Sequence, residues 1–302
     1  MIYTLSLNAS LDYDMSVDDF RQGELNLAKT TGFRAAGKGI NVSRALRNMG
    51  IPAKALGFLG GFTGRYIQDA LEEEGLCHDF IPLEGCTRIN IKLHQGDLET
   101  EITGIAPPVP EAAFDALQNR LSALKTGDTM IFSGSIPPSL PRDAYRMLAG
   151  LLPFGAQTVL DTRGNMLQEN LARNFLVKPN IGELREMTGK ALLTDNDIVE
   201  ACGFLLDKGI ENIIVSKGGD GAVLIRRDAC LTALLPPGKP VNTIGAGDSM
   251  VAGFMAGVYR GENPAECFQR AVAAGCATAY FQDICTERAM EALLPQTGVK
   301  AL

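Results

Sequence analysis

Residues 32–41 read GFRAAGKGIN, and the parsing of this stretch decides between two folds. It comes within one letter of the phosphate-binding loop G-x-x-x-x-G-K-[ST], with Gly39 standing where the hydroxyl residue belongs. A loop of that type needs the hydroxyl for magnesium and a buried strand ahead of its glycines. Residues 22–34 upstream are of mixed polarity and do not read as a buried strand. The segment that follows, NVSRALRNM (41–49), places Val42, Ala45, Leu46 and Met49 at helical spacing, with Gly50 to end the helix. The glycine turn and Lys38 therefore suit an anion or a polyol, while the nucleotide assignment is weak. No G-x-G-x-x-G occurs either, so a dinucleotide fold lacks its fingerprint.

Working outward, residues 64–74 repeat the helical pattern with Ile67, Ala70 and Leu71, and Phe114, Leu117, Leu121 and Leu124 mark another amphipathic helix. Apolar strands follow at Met130–Phe132, Thr158–Leu160, Phe175–Val177 and Ile213–Val215, with helical segments near 142–152, 182–188 and 196–208 between them. Strands alternating with helices predict parallel pairing in an α/β sandwich. Two regions break the rhythm. Residues 11–35 show no helical face, and RINIKLHQGDLETEIT (88–103) alternates apolar and polar positions around a turn at Gln95-Gly96-Asp97. They can pair into a small projecting sheet, or form an edge hairpin of the main sheet; periodicity does not choose. Gly253, Ala256 and Gly257 inside the last long helical pattern predict close helix–sheet approach.

The 302 residues are 46% hydrophobic and 21% charged, as expected of a globular chain with a large core. A net charge of −7 disfavours nucleic acid as a partner but leaves room for a small anion held by local cations. No apolar run reaches the roughly 20 residues of a membrane span, and MIYTLSLNASLD (1–12) lacks the pattern of a secretory signal. The seven cysteines form no C-x-x-C pair, which predicts a reduced, cytoplasmic setting with mostly buried thiols. Two histidines are too few for a His-based triad or a His-rich metal site. Chemistry is left to carboxylates, lysine, arginine and backbone amides.

Four stretches offer that chemistry. In NTIGAGDS (242–249), glycines precede a long helix, so an anion can reach its free N–H groups. Asp248 beside them is placed to take a proton from an attacking hydroxyl, or Asp248 or Ser249 simply caps the helix. VSKGGDGA (215–222) reads as a glycine turn, alternatively as backbone lining for a nucleotide. In VKPNIGEL (177–184), Asn180 and Glu183 have the spacing of a capping box, or they hold a hydrated magnesium ion near phosphates. FSGSIPP (132–138) sits at a strand's C-terminal end, where open α/β sheets bind ligands, though a plain turn fits it equally.

Taken together, AAGKGINVSRAL (35–46), KPNIGEL, VSKGGDG and NTIGAGDSMVAGF (242–254) resemble the PfkB sugar-kinase family in motif, order and spacing, over essentially the whole chain. GELNLAKTTGFRAAGKGINV, TRINIKL, SGSIPPSLP and GAGDSM are similar to the subgroup acting on fructose 1-phosphate. Tagatose-6-phosphate kinases are the near alternative, followed by 6-phosphofructokinases of the same family. Asn8-Ala9-Ser10 and Asn242 depart from the commoner family letters. The resemblance implies a ribokinase-like three-layer sandwich forming one domain over 1–302, with a β-lid from about 11–35 and 86–105. It implies ATP and Mg2+, a sugar-phosphate substrate and a homodimer through the lid. Asp248 would be the general base, and the amides of Gly245, Ala246 and Gly247 the anion hole. Asp12, Gly37 and Asn41 would hold sugar hydroxyls. Lys38, Arg88 and Ser133 or Ser135 would bind the substrate's own phosphate. Asn180, Glu183, Ser216, Gly218 and Gly221 would line the ATP side, with Glu183 reaching magnesium through water. A non-catalytic sugar-binding regulator is the alternative of a different class; it would tolerate loss of Asp248.

Overall fold

A computed structural model describes every residue except Asp97 and Gln282. In chain order the elements are β1 (Ile2–Ser6), β2 (Ser10–Ser16), β3 (Thr30–Ala36), α1 (Lys38–Asn48), β4 (Ala53–Gly60), α2 (Gly61–Glu73), β5 (Cys77–Leu83), β6 (Ile89–Gln95), β7 (Leu98–Ile102), α3 (Glu111–Ser122), β8 (Thr129–Ser133), α4 (Ala144–Ala149), β9 (Gln157–Asp161), α5 (Asn165–Glu169), β10 (Leu176–Val177), α6 (Ile181–Thr188), α7 (Asp195–Ala201), α8 (Gly203–Asp207), β11 (Asn212–Ser216), β12 (Ala222–Ile225), β13 (Cys230–Leu234), α9 (Ala246–Arg260), α10 (Pro264–Tyr280), α11 (Glu287–Leu293) and β14 (Gly298–Ala301).

The large sheet has the order β14-β13-β12-β11-β10-β9-β8-β1-β4-β5. It is parallel from β11 to β5 and antiparallel from β11 to β14. Its strands are apolar on both faces, as strands covered by helices on both sides must be. Side chains alternate between two cores. Met130, Phe132, Leu160, Ile213 and Val215 pack in the core that also takes Leu117 and Leu121 of α3, Leu148 of α4 and Leu184 of α6. Ile131, Val159 and Ile214 face the opposite core, built with α1, α9, α10 and α11. The result is a ribokinase-like α/β sandwich.

The two irregular regions pair with each other, not with the large sheet. They form a smaller sheet in the order β3-β2-β6-β7, where β2 runs parallel to β6 and the outer pairs are antiparallel. Its expected turn at 95–97 includes Asp97, outside the described residues.

Several local expectations change. Residues 30–36 do form a strand, β3, but its first four residues are exposed, so no buried strand feeds the glycine turn. Helix α1 begins at Lys38, not near Asn41, because Gly37 serves as its N-cap. The helix expected at 196–208 is broken into α7 and α8 at Cys202. The small residues of α9 serve helix–helix rather than helix–sheet approach. A Cβ on Gly253 would lie 2.8 Å from the Ala274 Cβ, and one on Gly257 2.8 Å from the Cys267 sulfur, both on α10. Arg44 fixes α1 in place: its guanidinium grips both carboxylate oxygens of Glu74 beyond α2 and donates to the Ala35 carbonyl on β3. Such a bidentate pair is geometrically specific; it ties α1 to the end of α2, and the Ala35 bond ties it to the smaller sheet.

Candidate active site

A cleft of about 670 Å3 opens between the two sheets. Its floor is the C-terminal edge of the parallel strands, where open α/β sheets bind ligands. Ser6 ends β1, Ser133 ends β8, Asp161 ends β9 and Ser216 ends β11, and Lys178 follows β10; all line it. The opposite wall comes from the smaller sheet, with Asp12, Arg34, Arg88, Lys92, Glu99 and Glu101. Gly37, Lys38 and Asn41 from α1 and Gly245, Gly247 and Asp248 from α9 close the middle.

Asp248 is buried at 3% exposure. It caps nothing: the N-cap of α9 is Gly245, in the left-handed region at φ 80, with no side-chain cap bond. Ser249 does not cap either, since its hydroxyl accepts from Thr278 at 2.6 Å. A side chain on Gly245 would also strike Ile284 at 2.5 Å, so glycine is required there on two counts. The Asp248 carboxylate instead accepts from Asn41 Nδ2 at 2.9 Å, and Lys38 Nζ stands 3.7 Å from its other oxygen. Burial pushes its pKa up; Lys38 opposes this and Asp161 adds to it, leaving the group above the usual carboxylate range.

The first-turn amides of a helix have no intrahelical acceptor, which supports an anion hole here with one correction. The Ala246 N–H already donates to the Thr243 carbonyl at 3.2 Å. The amides left by helix geometry are those of Gly245, Gly247 and Asp248.

Lys38 was expected to grip the substrate's phosphate. Its ammonium lies 2.7 Å from Asp161 Oδ2, because a buried carboxylate nearby is its strongest partner. Burial alone would lower its pKa, but Asp161 and Asp248 outweigh that and hold it above the usual lysine range. Asn41, expected on a sugar hydroxyl, donates to Asp248. Arg88 lines the cleft and donates to the carbonyls of Asn8 and Ala9 at 3.1 and 3.4 Å. Asp12 accepts from Ser10 and Asn90 at 2.8 and 2.9 Å. Ser135 accepts from Asn8 Nδ2 at 3.0 Å.

On the far side, Asn180 and Glu183 form the reciprocal capping box, each bond 2.8 Å, and both line the cleft. Among the described residues no cluster of three His, Cys, Asp or Glu can cage a metal. One carboxylate and one amide fit a magnesium ion that arrives with a nucleotide and keeps most of its water. Gly218 and Gly221 lie off the cleft wall, which on this loop reaches only Ser216. A Cβ on Gly221 would fall 2.1 Å from the Ala233 carbonyl, so its glycine is explained by the approach of β13.

Asp161, Thr162, Arg163, Lys178, Arg34 and Ser6 also line the cleft, and no motif singled them out. The signal for Asp161 was its place at the end of an apolar strand; Lys178 stood in a quoted motif without a role. Among the described residues, the buried side-chain polar atoms without a hydrogen-bond partner are Ser6 Oγ, Asn8 Oδ1, Ser133 Oγ and Thr162 Oγ1, and all four residues line this cleft. Native proteins rarely leave such groups unsatisfied. Here they present a surface for a polar, hydroxyl-rich ligand. The cleft's six cations (Arg34, Lys38, Arg88, Lys92, Arg163, Lys178) balance six carboxylates (Asp12, Glu99, Glu101, Asp161, Glu183, Asp248), so the global −7 does not repel an anion here.

A buried carboxylate beside bare helix amides, in one cleft with orphaned polar groups, suits phosphoryl transfer on an open α/β sheet. Comparison with known proteins gives the family: residues 6–281 match the pfkB family carbohydrate kinases, and the chain belongs to that family. It is 43% identical to a 1-phosphofructokinase of Bacillus subtilis, covering 100% of both chains. It is 35% identical to a D-tagatose-1-phosphate kinase of Bacillus licheniformis, covering 94% of each. The phosphofructokinase-2 of Escherichia coli in complex with substrates and products superposes with a TM-score of 0.92 at 26% identity, over 97% of this chain and 98% of that one.

Proposed function

We propose that this protein transfers the γ-phosphoryl group of ATP to the 6-hydroxyl of fructose 1-phosphate, giving fructose 1,6-bisphosphate and ADP. The observation that carries the reading is Asp248: a buried carboxylate of raised pKa, at the first turn of α9 and in one cleft with the residues of four unpartnered polar atoms. The full-length likeness to 1-phosphofructokinases supports the choice of acceptor.

Asp248 accepts the proton of the acceptor hydroxyl as that oxygen bonds to the γ-phosphorus. The bond to the β-phosphate oxygen breaks and its electron pair leaves with ADP. The Gly247 and Asp248 amides face the charge that builds on the moving group. Asp12 and the Ser6 hydroxyl meet the sugar hydroxyls, and Arg88 with Ser133 holds the 1-phosphate. Asn180, Glu183 and Ser216 take the nucleotide side. Glu183 would hold magnesium by way of water, and the ion would supply positive charge to neutralise the phosphates. The smaller sheet acts as a lid that keeps water from the phosphoryl group. A second copy of the chain packs on the lid's outer face. A cytoplasmic setting fits the free cysteines; no helix of the described residues is long and apolar enough to cross a membrane.

A coupled ADP-release assay tests this with fructose 1-phosphate, tagatose 1-phosphate, fructose 6-phosphate, tagatose 6-phosphate and fructose, each with ATP and Mg2+. The highest kcat/KM is expected with fructose 1-phosphate; a higher value with any other acceptor overturns the substrate. Asp248→Asn should cut kcat by about 10²–10⁴-fold and leave the affinity for a non-hydrolysable ATP analogue near wild type. Near-wild-type turnover would remove Asp248 as the base.

A further inference from the structure

We propose that Asp161 is a positioning residue that holds Lys38 off the Asp248 carboxylate, so that no ammonium ion closes on the oxygen that takes the acceptor's proton. The inference deepens the reading of Asp248 as the base and rests on it.

The geometry is a contest for one ammonium group. Lys38 Nζ lies 2.7 Å from Asp161 and 3.7 Å from Asp248. The two carboxylates are 1% and 3% exposed, so water cannot screen the pull of either. Asp248 already accepts from Asn41 on Oδ2. Closure of Lys38 onto Oδ1 would set an ammonium ion against the oxygen that Asn41 leaves open and make it a weaker base.

Asp161 wins the lysine and holds a second one, taking Lys38 on Oδ2 and Lys178 Nζ on Oδ1 at 3.3 Å. Lys178 is thereby seated against the first turn of α9: a Cβ on Gly247 would lie 3.0 Å from its nitrogen. The groups facing this pair come from each neighbouring element. They are Lys38 and Asn41 on α1, Arg163 just after β9, Lys178 after β10 and Tyr145 on α4. The electrostatics agree in direction. Burial pushes Asp161 up, but Lys178 and Lys38 outweigh it and hold it at about 2, so it is a carboxylate whenever the enzyme works. Its charge adds to the rise of Asp248, which Lys38 opposes.

Two consequences have opposite signs. Asp161→Asn removes one negative neighbour of Asp248 and releases Lys38 toward it, so Asp248 becomes more acidic. The acidic limb of kcat/KM, which reports the free enzyme's base, should move to lower pH by about one unit. The plateau kcat should fall about 10- to 100-fold because the base is weaker and obstructed, with KM for ATP little changed. Lys38→Met removes the opposing cation, so the limb should move to higher pH. A residue that merely supports the fold would not shift the two limbs in opposite directions.

The test is the pH dependence of initial rates for the full chain and both variants, with fructose 1-phosphate and Mg-ATP, alongside thermal melts. Opposite limb shifts support the proposal. An unmoved limb in Asp161→Asn, or shifts of the same sign, overturns it while normal wild-type turnover leaves the kinase reading standing. Wild-type protein that phosphorylates no sugar phosphate overturns both. Should Asp161→Asn not fold, Lys38→Met decides: an upward shift supports the proposal, and an unmoved or lowered limb overturns it.

Discussion

Ser133 has a buried hydroxyl with no partner in the protein, at the end of β8 and in the cleft wall. A group in that condition contributes nothing to stability and costs something by being desolvated. The proposed sugar phosphate would supply the missing bond. Ser133→Ala should therefore leave the urea midpoint unchanged or slightly raised. The same change should raise KM for the sugar phosphate by about 10-fold, the worth of one lost hydrogen bond to a charged group. A lowered midpoint, or an unchanged KM, would show that the hydroxyl serves the fold. Arg88 is a different case, because its guanidinium ties down the Asn8 and Ala9 carbonyls; its removal would loosen the loop after β1 as well as the proposed phosphate grip. Much of this was open to reading from the chain. Asp248 follows from a glycine pair before a helix, and Ser133 from a strand end. The Asp161–Lys38 pair was not legible, because it joins positions 123 apart in the chain and no local pattern records which carboxylate a lysine will choose.

At the scale of elements, the opening stretch becomes a steric matter. Gly39 sits in the first turn of α1, pressed against the end of β1. A Cβ there would meet Ser6 Oγ at 2.7 Å and the Leu5 carbonyl oxygen at 2.8 Å. The backbone of a central strand cannot retreat, so the glycine is there for packing and not as a lost metal ligand. Gly39→Ser completes the P-loop consensus on paper. It should nonetheless destabilise the protein by about 1–3 kcal/mol, the usual cost of overpacking. The urea midpoint should drop with the slope unchanged, and affinity for nucleotide should not rise. A wild-type midpoint would refute the packing argument. The alternation of buried strands and helices from Met130 to Val215 was legible because each β8–β11 strand is a short apolar run between amphipathic helices. β3 was not: four of its seven residues are exposed, so its sequence carries no burial pattern, and only pairing with β2 makes it a strand. The choice between a separate sheet and an edge hairpin likewise depended on β2 meeting β6 in parallel, a contact between segments far apart in the chain.

At the scale of the molecule, the smaller sheet is amphipathic in an unusual sense. One face carries the cleft residues Asp12, Arg34, Arg88, Lys92, Glu99 and Glu101. By the period of two, the other face carries Tyr13, Phe33, Ile89, Ile91, Leu98 and Ile102. Of these, Phe33, Ile89, Leu98 and Ile102 are exposed, as are Leu25 and Leu27 in the loop between β2 and β3, at 89% and 79%. β7 is also an edge strand exposed along its whole length. Monomers rarely leave so broad an apolar face to water, and an unprotected edge invites pairing. A second copy, set about a two-fold axis, would cover both outer faces at once. The substrate wall would then be braced by the partner, linking assembly to acceptor binding. Sedimentation velocity of the wild type at micromolar concentration should give a dimer. Replacing Leu98 and Ile102 together by Glu should give a folded monomer, since exposed positions carry little of the fold's stability. In that monomer, KM for the sugar phosphate should rise several-fold while KM for ATP changes little, because Asp12 stands on the smaller sheet and Arg88 just before its β6, whereas Ser216 ends β11 of the large sheet and Asn180 and Glu183 belong to the start of α6. A monomeric wild type would refute the assembly, and a monomeric variant with unchanged KM would refute its coupling to the substrate wall.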